Sequence, residues 1–315
     1  KNGHKITIWS ALAPEIEMLK EKHEQVEKLP GVILPDDIMF TTDLKEAIEG
    51  KDMLVLAVPS PFTRSTAKAM SPFVAEGQLI VSVAKGIEEN TLMTLSEIIM
   101  EEIPQCEVAV LCGPSHAEEV GKEIPTSLVA GAKKRATAEL VQNTFMSEVL
   151  RVYTSPDVLG MEIGASLKNV IALAAGMADG LGYGDNTKAA LITRGISEMG
   201  RLALAMGAKY ETLSGLTGMG DLIVTCASKH SRNRRAGYLM GQGYTMQQAM
   251  DEVKMVVEGV YSAKAAIALA KKYHVDMPII EQVNEVLFED KPAKEAVKEL
   301  MLRDKKVEHD DLEWQ

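Results

Sequence analysis

The sequence predicts an α/β fold in two parts: a doubly wound parallel sheet over residues 1–160, then an all-helical half over residues 161–315. In the first part, short β-rich apolar runs alternate with helical patterns, and that order implies parallel pairing through right-handed crossovers. In the second, strand signals fade and Ala-, Leu- and Met-rich segments repeat apolar residues at three and four, with Gly and Pro mostly between them. A composition of 46% hydrophobic and 25% charged residues over 315 positions is that of an ordered globular chain, long enough for two units that share a cleft.

Residues 6–9 alternate in a strand-like way with Lys5 and Thr7. Met53–Val58 is a continuous apolar run ended by Pro59, as in a strand buried on both faces. Leu79–Val83 and Val108–Leu111 have the same character, and each stops at a glycine-containing turn. Helical stretches fall at Asp43–Glu49 and Thr91–Ile103. In the second half they fall at Gly164–Ala178, Lys188–Met206, Met246–Asp251 and Val260–Tyr273. The many Met residues read as flexible core filler, and His309–Gln315 reads as a frayed polar end.

The 34 Lys and Arg against 45 Asp and Glu leave a formal charge of −11, which argues against nucleic acid or an acidic membrane surface as partner. An anionic metabolite then requires a local basic pocket, so the placement of cations matters more than their number. Cys106, Cys112 and Cys226 have neither metal-ligand nor disulfide-framework spacing, so no metal site is expected. Near-core thiols in a reducing compartment fit them, and with them a cytoplasmic location. No apolar run approaches the roughly 20 residues that cross a bilayer, so no membrane insertion is expected. The apolar helical half is compatible with a homodimer.

A doubly wound sheet of this kind is Rossmann-like, and its sites lie beyond the carboxyl ends of the strands. No G-x-G-x-x-G joins a first strand to a helix near residue 1. The opening Asn2-Gly3-His4 reads as the turn into a second strand, so the first strand and glycine loop are expected to be absent from this chain. The remaining strand ends carry Val58-Pro59-Ser60, Ala84-Lys85-Gly86 and Cys112-Gly113-Pro114-Ser115. Lys85, directly after a buried strand, could polarise a carbonyl or hold a phosphate, or simply be a solvated strand-end lysine. Ser115 offers a hydroxyl either to a ligand or to a helix N-terminus, and His116 reads as a structural hydrogen-bonder.

Lys168-Asn169 interrupts an otherwise small and apolar helix. Burying lysine is costly, and crowding by other cations would lower its proton affinity and suit it to acid–base work. Ser231-Arg232-Asn233-Arg234-Arg235 is the strongest basic cluster, either an anion clamp or a solvated run. Asp221, in a glycine-flanked turn, would orient Lys168 or a substrate hydroxyl, or cap the next helix.

In this order the motifs resemble the bacterial NAD(P)-dependent glycerol-3-phosphate dehydrogenases. The matching stretches are 57–59, 82–86, 112–120, 164–175, 179–186, 213–226, 231–235 and 256–260, spread over essentially the whole chain. The resemblance implies exchange of a hydride between NAD or NADP and a small molecule, dihydroxyacetone phosphate or sn-glycerol 3-phosphate, in phospholipid synthesis. It implies that Lys168 is the proton carrier, and that Lys85, Gly113, Ser115, Lys168, Asp221, Ser231, Arg232 and Asn233 line the substrate site. It also implies that Lys85, Ala117, Arg232, Val256 and Glu258 border the cofactor. Residues 8–11 carry neither the acid expected for an NAD ribose nor the Arg expected for a 2′-phosphate, so the choice of cofactor stays open. Two other readings stay open as well: a related dehydrogenase of another hydroxy acid, and a chain that is inactive without its glycine loop.

Overall fold

The structure, a computed structural model, describes residues 2–308; the expected frayed end at 309–315 lies outside them. Two short parallel strands, β1 (Thr7–Trp9) and β2 (Met39–Thr41), pair with Thr7 opposite Met39. Between them α1 (Ala13–Lys22), with Pro14 in its first turn, buries Ile16 and Leu19 in a cluster with Phe40. A second sheet follows in spatial order β3 (Met53–Leu56), β4 (Leu79–Ser82), β5 (Glu107–Cys112), β6 (Thr126–Ala132) and β7 (Leu150–Ser155).

β3, β4 and β5 run parallel, as expected, and β6 and β7 are parallel to each other. β6 is antiparallel to β5, which corrects the expectation of parallel pairing throughout. The cause is the connection from Cys112 to Thr126, whose only helix is the one-turn α5 (Ala117–Val120), too short to cross the sheet face. β6 and β7 have no counterpart among the strands read from the sequence. The expected two-face burial of 53–58 is also corrected: β3 stops at Leu56 and leaves Val55 49% exposed, because the strand lies at the margin of its sheet. β4 is buried along its whole length.

The crossover helices are α2 (Leu44–Ile48), capped by Asp43, α3 (Thr63–Met70), α4 (Leu95–Glu102) and α6 (Arg135–Phe145). α4 begins four residues later than the pattern from Thr91 suggests, because a Thr94–Glu97 capping box fixes its first turn. Cys112 and Cys226 are buried and Cys106 half-buried, all as free thiols.

The second half is all-helical, as expected. It comprises α7 (Val158–Gly180), α8 (Asp185–Ala205), α9 (Tyr210–Ser214), α10 (Asp221–Ala227), α11 (Arg232–Gly241), α12 (Met246–Val253), α13 (Glu258–Tyr273), α14 (Pro278–Phe288) and α15 (Ala293–Met301). A π-helical turn, Leu216–Gly220, leads directly into α10. α7 is the axis on which α8, α10, α11, α13 and α14 pack. It is 23 residues long with a mean hydropathy of 1.4 over its most apolar window, which corrects the expectation that no run approaches membrane-spanning length. That window is 89% buried inside the protein, where a helix enclosed on all sides is apolar all round.

Two glycine pairs bring α7 and α11 into backbone contact. A Cβ on Gly176 or Gly180 would lie 2.0 or 2.1 Å from the carbonyl oxygens of Arg234 or Tyr238. On Gly237 or Gly241 it would meet those of Leu173 or Met177 at 2.1 or 2.3 Å. This close approach sets the N-terminus of α11 against Asn169, whose side-chain oxygen accepts from Asn233. The two halves are further joined by Glu162 of α7, which accepts from the backbone N–H and hydroxyl of Ser96 at 2.9 and 2.6 Å.

Candidate active site

The parallel strands β3, β4 and β5 end together, and the chain just beyond them faces the helical half. Lys85 follows β4; its Nζ donates to the Gly113 carbonyl at 2.9 Å and to Asp221 Oδ2 at 2.7 Å. Gly113 follows β5 with a φ of +142°, and a side chain there would press on Leu128 at 3.1 Å. Only a glycine turns its carbonyl to Lys85 without that conflict. The same carbonyl accepts from Ser115 Oγ at 3.0 Å, so this hydroxyl is not a helix cap.

Lys168 is 4% exposed near the middle of α7. Its Nζ donates to Asp221 Oδ1 and to Thr225 Oγ1, both at 2.6 Å. Asp221 therefore bridges two ammonium groups, one from each half of the chain, instead of capping α10. It opens that helix straight from the π turn, and Thr225 sits one helical turn later on the same face. Burial pushes the Lys168 ammonium down to about 8; the Asp221 carboxylate opposes the fall and the Lys85 charge adds to it. Burial works against the charge on Asp221 too, but the two lysines outweigh it and hold that carboxyl below its ordinary range. The result is a buried cationic cluster with one proton poised near neutrality.

The basic cluster at 231–235 does not form a three-arginine clamp. Ser231 caps α11 by accepting the Arg234 N–H, and Arg234 turns away to pair with Asp179 at 2.6 Å. Arg235 is exposed, as is Arg232, whose positive charge acts on Glu258. The helical period explains the dispersal: successive residues at the start of a helix face about 100° apart. Asn233 turns inward, donating to Asn169 Oδ1 at 2.9 Å and accepting from the Gly259 N–H at 2.8 Å. Ala117 opens α5 and is exposed, and Val256 is half-buried just before α13. Glu258 is the first residue of α13 and reaches back to Ser60 past the end of β3.

His116 does not have the hydrogen-bonding part expected of it: its Nε2 is buried without a partner among the described residues. Burial first, and the Lys168 charge second, lower its proton affinity. Three polar contacts of the site went unsingled in the sequence: Thr225, Asn169 as the partner of Asn233, and Ser60. Thr225 was legible as the i+4 neighbour of Asp221. Ser60 was legible as a hydroxyl at a strand's carboxyl end.

Comparison with known proteins agrees with this architecture. Residues 1–138 match the family described as NAD-dependent glycerol-3-phosphate dehydrogenase N-terminus, and residues 157–298 match the C-terminus of the same family. The glycerol-3-phosphate dehydrogenase [NAD(P)+] of Agathobacter rectalis is 74% identical over 313 residues, covering 99% of this chain and 93% of that protein. That of Bacillus subtilis is 49% identical over 314 residues, covering 99% and 91%. A crystal structure of glycerol-3-phosphate dehydrogenase from Coxiella burnetii superposes with a TM-score of 0.92 at 34% identity, covering 96% of this chain and 92% of that one. With both halves matched and most residues shared with such a relative, the chain belongs to the NAD-dependent glycerol-3-phosphate dehydrogenase family.

Proposed function

We propose that this protein interconverts dihydroxyacetone phosphate and sn-glycerol 3-phosphate with NAD(H) or NADP(H), feeding glycerophospholipid synthesis. The observation that carries the reading is the Lys168–Asp221–Lys85 cluster, a buried ammonium tuned to about 8 beside a second cation at the strand ends. The residues present suit a dinucleotide. Phe62 leaves an apolar face 53% exposed two residues after Ser60, close to the end of β3. Lys85, Ala117, Arg232, Val256 and Glu258 would hold the dinucleotide, which when bound supplies or takes up the hydride.

Carbonyl reduction builds negative charge on oxygen, which needs a proton source and nearby positive charge. Lys168 Nζ–H provides the proton, and Thr225 and Asp221 hold it in place. Lys85 adds positive charge on the opposite side of Asp221. In the oxidative direction neutral Lys168 takes the proton back. Gly113, Ser115, Asp221, Ser231, Arg232 and Asn233 would complete the substrate pocket, with Arg232 as the exposed guanidinium for the phosphate; this replaces the multi-arginine clamp. The net charge disfavours nucleic acid. We extend the proposal to a cytoplasmic enzyme without membrane insertion and to a homodimer formed through the helical half.

The test is consumption of NADH or NADPH by the purified protein that depends on added dihydroxyacetone phosphate. Lys168→Met should lower kcat by about 10²–10⁴-fold, the range for loss of a positioned acid–base group, while cofactor binding persists. Retained turnover in that variant would remove Lys168 from the mechanism.

A further inference from the structure

We infer that Ser60 is a positioning residue for Glu258: its backbone N–H and hydroxyl take both oxygens of that carboxylate and fix where the start of α13 meets the crevice. The inference rests on the reading of Glu258 as a residue that borders the cofactor.

Glu258 Oε1 accepts the Ser60 N–H at 3.0 Å, and Oε2 accepts the Ser60 hydroxyl in a short hydrogen bond across 198 residues of chain. Among the described residues the carboxylate has no ion pair, although the Arg232 charge acts on it. Burying a carboxylate is costly unless its oxygens are hydrogen-bonded, and bonds to a charged acceptor belong to the strong class. The backbone around Glu258 is already pinned. The next residue, Gly259, donates to Asn233, and a Cβ on it would lie 2.5 Å from the Asn169 carbonyl oxygen. What remains to be fixed is the side chain, and Ser60 fixes it.

Gly86 completes the device. A Cβ at Gly86 would fall 2.3 Å from Ser60 Cβ, 2.4 Å from its Oγ and 3.5 Å from Glu258 Oε2. The bare backbone next to Lys85 is therefore the space in which Ser60 reaches Glu258. Consecutive residues thus serve two links between the halves: Lys85 binds Asp221, and Gly86 makes room for Ser60 and Glu258. The halves are also tied by Ser96 and Glu162, so the Ser60 contact is not needed merely to hold them together.

The experiment measures NADH dissociation constants by calorimetry for the wild type, Ser60→Ala, Glu258→Ala and the double variant, with a thermal midpoint for each. Ser60→Ala should weaken NADH binding about tenfold, the scale of a hydrogen bond to a charged group, with kcat at saturating cofactor nearly unchanged. It should cause no further loss when Glu258 is already Ala. Gly86→Ala, which drives a methyl into Ser60, should weaken NADH binding in the same way. Equal losses from Ser60→Ala in both backgrounds, or unchanged NADH affinity in Ser60→Ala, would overturn the inference. Unchanged affinity in Glu258→Ala would instead overturn the reading of Glu258 itself.

Discussion

Asp221→Asn isolates the electrostatics of the site with the smallest change of shape. In the native protein one carboxylate faces two ammonium groups, Lys168 at 2.6 Å and Lys85 at 2.7 Å. The amide removes the negative charge and leaves the buried Lys168 ammonium facing the half-buried one of Lys85. Opposite charges about 4 Å apart at an effective dielectric of about 20 attract by about 4 kcal/mol. If relaxation and water recover half, about 2 kcal/mol of support for the Lys168 ammonium disappears, moving its titration down by about 1.5 pH units. Lys168 titrates near 8 in the native protein, so kcat/KM for ketone reduction should be level below that pH and fall above it. In Asp221→Asn the fall should begin about 1.5 pH units lower, and the rise of the reverse, oxidative rate should move down with it. Stability supplies an independent sign. A lysine whose folded titration lies below its unfolded one binds its proton more tightly when unfolded, so stability gains as pH rises through the window above the folded midpoint. The variant, about 3–5 kcal/mol less stable near neutrality for want of a partner to buried charge, should recover part of that loss toward pH 9. The assay is initial rates from pH 5.5 to 10 in both directions, with denaturant unfolding at pH 6 and 9. A midpoint that stays in place or moves upward would refute the coupling of Asp221 to Lys168.

Two predictions concern the frame around the site. Gly237→Ala pushes a methyl to within 2.1 Å of the Leu173 carbonyl oxygen, so α7 and α11 must separate. Overpacking of this kind should cost about 1–3 kcal/mol in urea unfolding and raise KM for the phosphorylated substrate as Asn233 shifts; unchanged values of both would show that the helices can part freely. Glu198, 2% exposed, accepts the N–H groups of Ile279 and Ile280 at the start of α14, and burial pushes its carboxyl up to about 7. A carboxyl raised by folding contributes stability below its unfolded value near 4.5 and loses that contribution as pH rises to about 7. Glu198→Gln should therefore be the less stable protein at pH 5 and close the gap by pH 8, measured by unfolding at both; parallel pH profiles would contradict the account.

The fold class was legible because its signals are local. Leu79–Val83 is almost wholly apolar because β4 lies between β3 and β5 and is buried along its length, and the Ala-rich period of the second half is that of helices packed around α7. The setting of Lys168 was legible for the same reason: a cation in a small, apolar helical stretch conflicts with burial and so stands out, and the residue is 4% exposed. β6 and the short extent of β3 were not legible, since strand direction follows from whether a connection can cross the sheet and exposure from which strands sit at its margin. The basic run 231–235 left two readings open because adjacency along the chain is not convergence in space; one helical turn sends Arg234 to Asp179 and Asn233 toward Asn169.

By itself, then, the sequence determined the two-part α/β and helical plan, the family resemblance and the identity of the buried lysine, all written in periodicity and in residues that violate their surroundings. Only the tertiary structure decided which groups share charge. Asp221 meets Lys85 across 136 residues and Ser60 meets Glu258 across 198, and such pairings depend on where helices and strands pack.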